Sequence, residues 1–219
     1  MIATELISAR LIPLRTSDTG RAALSVMSDF YVKHLPIVND AQLLGVISEE
    51  DILNNPMSEP VGSYSLQLRK PYVSYNEHLF EIMSTMAEND LTVIPVIDAD
   101  GNYMGLITQN DLMQFYARSF SFTEPGGILV LEMAKRDYHL SEIARHIESD
   151  GAVVLSCFIS NTADPSFVSL TIKLNKSNLD QVVATLGRFG YTVKGSYVET
   201  EYVDQLKDRY DMLMNYLDV

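Results

Sequence analysis

The chain has 219 residues, with 16 Lys and Arg against 29 Asp and Glu, and a formal charge of −13. That balance excludes a general nucleic-acid binder, whose affinity comes chiefly from cations set against phosphates. A hydrophobic content of 47 % with 21 % charged residues excludes a disordered chain, and no apolar run approaches the roughly 20 residues that span a bilayer. The single cysteine, Cys157, has no partner for an internal disulfide, and residues 1–15 hold no sustained apolar stretch. A soluble, cytoplasmic protein without a secretory signal is expected.

In chain order, the pattern predicts a short strand at Leu14, a helix carrying Leu24 and Met27, and a strand through Leu35-Pro36-Ile37-Val38. A turn, Asn39-Asp40-Ala41-Gln42, leads to a second strand that ends in Gly45-Val46-Ile47-Ser48-Glu49-Glu50-Asp51. The same unit then returns. Pro36 recurs as Pro95 in Ile94-Pro95-Val96-Ile97, 59 residues on, and Asp51 recurs as Asp111 in Gly105-Leu106-Ile107-Thr108-Gln109-Asn110-Asp111, 60 residues on. The extra residue lies in the second turn, Asp98-Ala99-Asp100-Gly101-Asn102, while Leu14, Leu24 and Met27 match Val73, Met83 and Met86. The second helix carries Leu79, Ile82, Met83 and Met86, and a longer closing helix carries Leu112, Phe115 and Tyr116. A half-buried unit of this size cannot cover its own apolar face. Two copies therefore pack on each other about a pseudo-two-fold axis.

The Pro and two Gly of 121–127 predict a linker. Beyond it the order is strand 128–133, helix 140–148, strands 153–160 and 167–174, helix 179–189 and strand 191–199. Ile143, Ile147, Val182, Val183 and Leu186 lie on the inner helix faces. A βαββαβ unit follows, with a four-stranded antiparallel sheet under two helices. Residues 204–219 place Leu206, Tyr210, Leu213 and Leu217 at helical spacing, as for a helix docked on the sheet or on a partner subunit.

Ser48 and Thr108 stand where a strand turns into a helix, with Asp51 and Asp111 three residues on. One reading is a capping box, in which hydroxyl and carboxylate satisfy orphan N–H groups and nothing else. The other adds a ligand: a hydroxyl beside a carboxylate hydrogen-bonds a ribose, and a helix N-terminus attracts phosphate. The four histidines, His34, His78, His139 and His146, have no metal-site spacing, Cys157 sits in an apolar strand, and no P-loop, GxGxxG or GxSxG occurs. Neither a catalytic nor a metal-ligating set is expected.

The two copies, with an apolar-Pro-apolar strand and a Gly-apolar-apolar-(Ser/Thr)-x-x-Asp corner in each, resemble a tandem pair of CBS domains, a Bateman module, over about residues 1–120. The resemblance implies an adenine-containing ligand in the clefts between copies: AMP, ADP or ATP, with or without Mg²⁺, or S-adenosylmethionine. Adenine lies against the strands of Pro36 and Pro95, the aspartate holds the ribose, and the hydroxyl lies near ribose or phosphate. This names Ser48 and Asp51 for one cleft, Thr108 and Asp111 for the other. A cation ahead of the strand, Lys33-His34 in the first copy, reaches the phosphate; the second copy has Thr92-Val93 there. Glu49 and Glu50 repel phosphate at the first corner and neutral Gln109 and Asn110 replace them at the second, so unequal occupancy is expected.

The last third resembles an ACT domain, which implies dimerisation. Ligand-binding members often place a Gly between the first strand and helix; here Lys135-Arg136-Asp137-Tyr138-His139 stands instead, and Lys135 with Arg136 offers only an anion site. The whole is similar to the acetoin utilisation AcuB-like family. The expected fold is α+β, with CBS repeats over 1–59 and 60–120, a linker over 121–127, an ACT-like domain over 128–200 and a helix over 201–219. The implied function is a non-catalytic, cytoplasmic regulatory sensor of that adenine-containing ligand, with the ACT-like domain dimerising and transmitting the signal and a metabolic enzyme as a candidate partner. The alternative is a protein-interaction or assembly module whose corners bind no ligand and which regulates a metabolic enzyme.

Overall fold

The structure, a computed structural model, describes residues 1–64 and 68–198; the helix expected over 201–219 lies outside the described residues. The chain divides into two compact units, Met1–Phe115 and a second from Tyr116 onward.

In the first unit the elements are α1 (Gly20–Phe30), β1 (His34–Asn39), β2 (Gln42–Ser48) and α2 (Glu49–Leu53), then β3 (Val73–Ser74), α3 (Leu79–Glu88), β4 (Val93–Ile97), β5 (Tyr103–Thr108) and α4 (Gln109–Ser119). Helix α1 starts because Thr19 accepts a hydrogen bond from the Ala22 N–H at 3.3 Å, and it stops where Tyr31 turns left-handed at φ 55°. Its buried residues are Gly20, Ala23 and Met27; Leu79, Ile82 and Met86 are those of α3. Asp90 repeats the left-handed stop at φ 51°.

The repeat seen in the sequence is a repeat of hydrogen bonds. Leu14 bridges Ile37 in parallel as Val73 pairs with Val96, and both hairpins shift register just after that position, between Ile37 and Val38 and between Val96 and Ile97. Prolines 36 and 95 sit inside these strands, where a missing N–H is normally costly. For Pro36 the cost is small, because its carbonyl faces Leu14, accepting that N–H at 2.8 Å. Its nitrogen points to the same side, where the partner segment makes only a single bridge.

One feature was not foreseen. The segment ahead of each copy completes the other copy. Val61 and Gly62 donate their N–H groups to the Asp18 and Thr16 carbonyls at 2.7 and 2.9 Å, and Ala3 and Thr4 donate to Glu77 and Tyr75 at 3.0 and 3.1 Å. The core is shared too: Leu35, Ile37, Ile47 and Ile52 of the first copy pack in one cluster with Val93 and Leu106 of the second.

The second unit holds β6 (Gly127–Ala134), α5 (Leu140–Ser149), β7 (Val154–Asn161), β8 (Phe167–Leu174), α6 (Asp180–Arg188) and β9 (Thr192–Val198). The strand order is β7-β8-β6-β9 with every pair antiparallel, the ferredoxin-like arrangement expected from βαββαβ. Alternate residues of β6 are buried, and Leu129 and Leu131 join Ile143, Ile147, Leu170, Ile172, Val182 and Leu186 in one core. The end of α4 belongs to this unit: Tyr116 stacks on Phe120 at 4.6 Å, and the Phe120 carbonyl accepts from Ser156 Oγ at 2.9 Å.

Candidate functional site

Both corners form as the spacing predicts, and both are capping boxes in geometry. Asp51 Oδ2 accepts from the Ser48 N–H at 2.9 Å and from Ser48 Oγ at 2.7 Å, while the Asp51 N–H donates back to Ser48 Oγ at 3.0 Å. At the second corner the matching distances are 3.1, 2.6 and 3.0 Å between Thr108 and Asp111. Every bond that the two carboxylates accept uses Oδ2. Each Oδ1 takes no hydrogen bond among the described residues, so capping leaves one carboxylate oxygen for a ligand.

The first corner opens on a cavity of about 410 Å³. His34, Val46, Ser48, Glu50 and Asp51 come from the first copy, Asn89, Asp90 and Leu91 from the second, and Leu68, Arg69 and Pro71 from the segment that joins them. The second corner opens on about 350 Å³ lined by Phe30, Tyr31, Val32, Thr92, Thr108, Gln109 and Asn110. The two are related by the repeat: residues 30–32 occupy in the second cleft the place of residues 89–91 in the first. Their chemistry differs. The second lining has no charged side chain, whereas the first sets Glu50, Asp51 and Asp90 against Arg69.

Of the residues singled out from sequence, His34, Ser48 and Asp51 share the first cleft and Thr108 lines the second. Asp111 holds Thr108 without lining that cavity, and Pro36 and Pro95 are buried in the strands beneath. Lys33 lines neither cavity; its backbone N–H donates to Thr92 Oγ1 at 2.8 Å. His34 does not stand as a free cation. Its Nδ1 accepts the Thr92 N–H at 3.2 Å and lies 3.1 Å from Thr92 Oγ1, and burial lowers its pKa, against an upward pull from Asp90 and Asp51. The cation that does line the first cleft is Arg69, which the repeat could not reveal because it enters from the joining segment.

That segment is fixed by contact with β2. The Val46 N–H donates to the Arg69 carbonyl at 2.9 Å, and a Cβ on Gly45 would stand 2.5 Å from Leu68 Cβ. Only glycine lets the two backbones approach so closely. In the second unit, Arg136, with Asp137, His139 and Tyr191, lines a further cavity of about 570 Å³; Lys135 does not.

Comparison with protein families matches the CBS domain over residues 3–58 and again over 61–118. The chain belongs to the CBS domain family. Among curated proteins, this CBS pair is similar to inosine-5'-monophosphate dehydrogenase of Methanocaldococcus jannaschii, 22 % identical over 159 residues, which is 71 % of this chain and 32 % of that protein. The chain spans less than half the length of the curated relatives it matches. Among solved structures it is similar to a CBS domain pair/ACT domain protein of Thermotoga maritima, 17 % identical with a TM-score of 0.48, covering 54 % of this chain and 98 % of that one. It is also similar to CBSX2 in complex with AMP, 21 % identical with a TM-score of 0.45, covering 53 % and 96 %. Among the described residues no helix is long and apolar enough to cross a membrane.

Proposed function

We propose that this CBS pair is the sensor part of a non-catalytic, cytoplasmic regulatory protein, and that its first cleft takes an adenine nucleotide or adenosyl ligand. One observation carries the reading: a cavity of about 410 Å³ brings together a carboxylate and hydroxyl suited to a ribose diol, the apolar side chains of Val46, Leu68 and Leu91 suited to adenine, and Arg69 suited to an anion. Asp51 Oδ1 accepts from the ribose, Ser48 holds Asp51 in place, and Arg69 meets the phosphate or carboxylate of the ligand. At the second cleft Thr108 alone offers the ribose contact, with Asp111 holding its hydroxyl from outside the lining and no cation in that lining, so the first cleft fills first.

Binding regulates only if two arrangements of the copies differ in affinity for the ligand. The ligand touches both copies, through Asp51 on one side and residues 89–91 on the other, so a change in their packing alters its contacts. The ACT-like unit pairs two chains and carries the change to a regulated metabolic enzyme.

Thermal unfolding against AMP, ADP, ATP and S-adenosylmethionine, with and without Mg²⁺, tests this. A ligand at 100 times its Kd adds about 2.7 kcal/mol to the folded state. A rise in midpoint that disappears in Asp51→Ala supports the reading; no rise with any of them overturns it. The second reading, an assembly module with no small ligand, is favoured by the three carboxylates that outnumber Arg69 in the first cleft. Sedimentation with and without ligand reads the dimer under either.

A further inference from the structure

Lys33 and Thr92 hold the same place in the two copies. The Lys33 carbonyl accepts the Glu49 N–H at 2.8 Å, next to the Ser48 corner, and the Thr92 carbonyl accepts the Gln109 N–H at 3.0 Å, next to the Thr108 corner. Across the pseudo-axis the two residues touch, and His34 closes the junction by accepting the Thr92 N–H at Nδ1. His34 lines the first cleft and Thr92 the second. A single cluster of hydrogen bonds therefore joins both candidate clefts.

The junction works with one form of the histidine. An Nδ1 that accepts a backbone N–H carries no hydrogen, so the ring holds its hydrogen on Nε2. A second proton must go to Nδ1, where it displaces the Thr92 N–H and has only Thr92 Oγ1, 3.1 Å away, to point at. We propose that His34 is a proton-operated strap between the two CBS copies: neutral, it holds the Thr92 backbone N–H and fixes the second corner relative to the first; protonated, it gives up that N–H and loosens the Thr92 backbone. The groups facing the ring are Lys33 beside it, Asp51 at the first corner, Asp90 after α3, and Glu50 and Arg69 across the cavity. Burial lowers the His34 pKa and the two aspartates oppose this, so release falls on the acid side of the ordinary histidine value of about 6.5.

The regulatory consequence rests on the ligand reading above; the strap itself does not. An anionic group placed in the first cleft favours the protonated ring, so it loosens Thr92 at the mouth of the second cleft. Acid and first-cleft ligand thus act in the same direction.

The test uses the full chain without ligand. Hydrogen exchange of the Thr92 amide, corrected for its intrinsic pH dependence, is compared at about pH 7.5 and about pH 5.5 in the natural protein, in His34→Asn and in His34→Ala. A side-chain amide oxygen accepts the same N–H but does not titrate. The expected result is a fall in Thr92 protection of about three- to tenfold on acidification in the natural protein, the worth of one hydrogen bond. His34→Asn keeps its protection at both values, and His34→Ala lacks it at both. His78, His139 and His146 remain in every variant, so the comparison among variants isolates His34. Equal protection at both pH values in the natural protein, or an equal fall in His34→Asn, overturns the proposal. If a variant does not fold, the natural protein decides alone: the Thr92 amide resonance must move with the same midpoint as the His34 ring protons, and separate midpoints refute the strap. Failure of every nucleotide to bind leaves these readouts intact and counts against the ligand reading only.

Discussion

Thr92 Oγ1 accepts the Lys33 N–H at 2.8 Å across the axis that relates the two CBS copies, so a side chain of the second copy satisfies the backbone of the first. The pairing is unequal, because the place of Thr92 in the first copy holds a lysine whose side chain has no such task. Thr92→Val keeps the shape and removes the acceptor, leaving the Lys33 N–H unpaired at the junction. A loss of about 0.5–1.5 kcal/mol is expected, the net worth of one hydrogen bond where water can reach the freed donor, with Thr92→Ser close to the natural protein. Urea unfolding followed by a probe in the first unit reads both, and equal stability of the Val and Ser variants would refute the role.

Asp51 has two duties that substitution separates. As the third residue of α2 it accepts from Ser48; as a cleft residue it offers Oδ1. Asp51→Ala loses both, at a stability cost of about 1 kcal/mol for the cap together with loss of ligand binding. Asp51→Asn retains an oxygen for the Ser48 bonds but replaces the free acceptor by a donor, so stability holds while ribose binding falls. Calorimetric unfolding and titration with the ligand that raises the natural midpoint distinguish the two. An Asn variant that binds normally leaves Asp51 as a cap alone.

Local features were legible in the sequence and the exchange between copies was not. The interval from Pro36 to Pro95 located β1 and β4, and the Ser48 and Thr108 corners formed as their spacing predicted, because capping depends on residues three apart. The βαββαβ order gave the second sheet for the same reason: the apolar period of β6, α5 and α6 survives in their burial. Arg69 escaped because its place in the first cleft depends on long-range backbone contacts with no local period: Val61 and Gly62 bond back to Asp18 and Thr16, and the Arg69 carbonyl accepts the Val46 N–H. In the sequence Lys33-His34 looks cationic as a pair. In the fold the His34 ring faces a backbone N–H, and burial favours the neutral form.

Gly45 is where packing and ligand reading meet. A methyl there would lie 2.5 Å from Leu68 Cβ and 3.0 Å from the Arg69 carbonyl oxygen, and neither is the free end of a flexible chain. Gly45→Ala should push the joining segment off β2, costing about 1–3 kcal/mol and displacing Arg69 from the first cleft. At Gly105 the close neighbour is the Ile7 side chain, Cγ2 at 2.5 Å, so Gly105→Ala strains the second copy without touching Arg69. Ligand titration of the two variants should show weakened first-cleft binding in Gly45→Ala only. Equal weakening in both would mean general loosening of the unit.

Charge in the first cleft orders the ligands. Glu50, Asp51 and Asp90 face one Arg69, and His34 is held toward its neutral form, so each added phosphate is repelled more than attracted. ATP without Mg²⁺ should bind more weakly than AMP, and Mg²⁺, by neutralising the added phosphates, should narrow the gap. Glu50 and Arg69 are exposed, so solvent screens them and each is worth at most about 1 kcal/mol, roughly fivefold in Kd. Glu50→Gln should therefore tighten ATP by up to about fivefold and leave AMP less affected, while Arg69→Ala weakens both. Raising salt from about 0.01 M to 0.15 M shortens the screening length from about 30 to 8 Å and should compress these differences. Isothermal titration of AMP and ATP against the three proteins at both salt concentrations is the measurement. Tighter binding of metal-free ATP than of AMP by the natural protein would show that another cation outweighs these carboxylates.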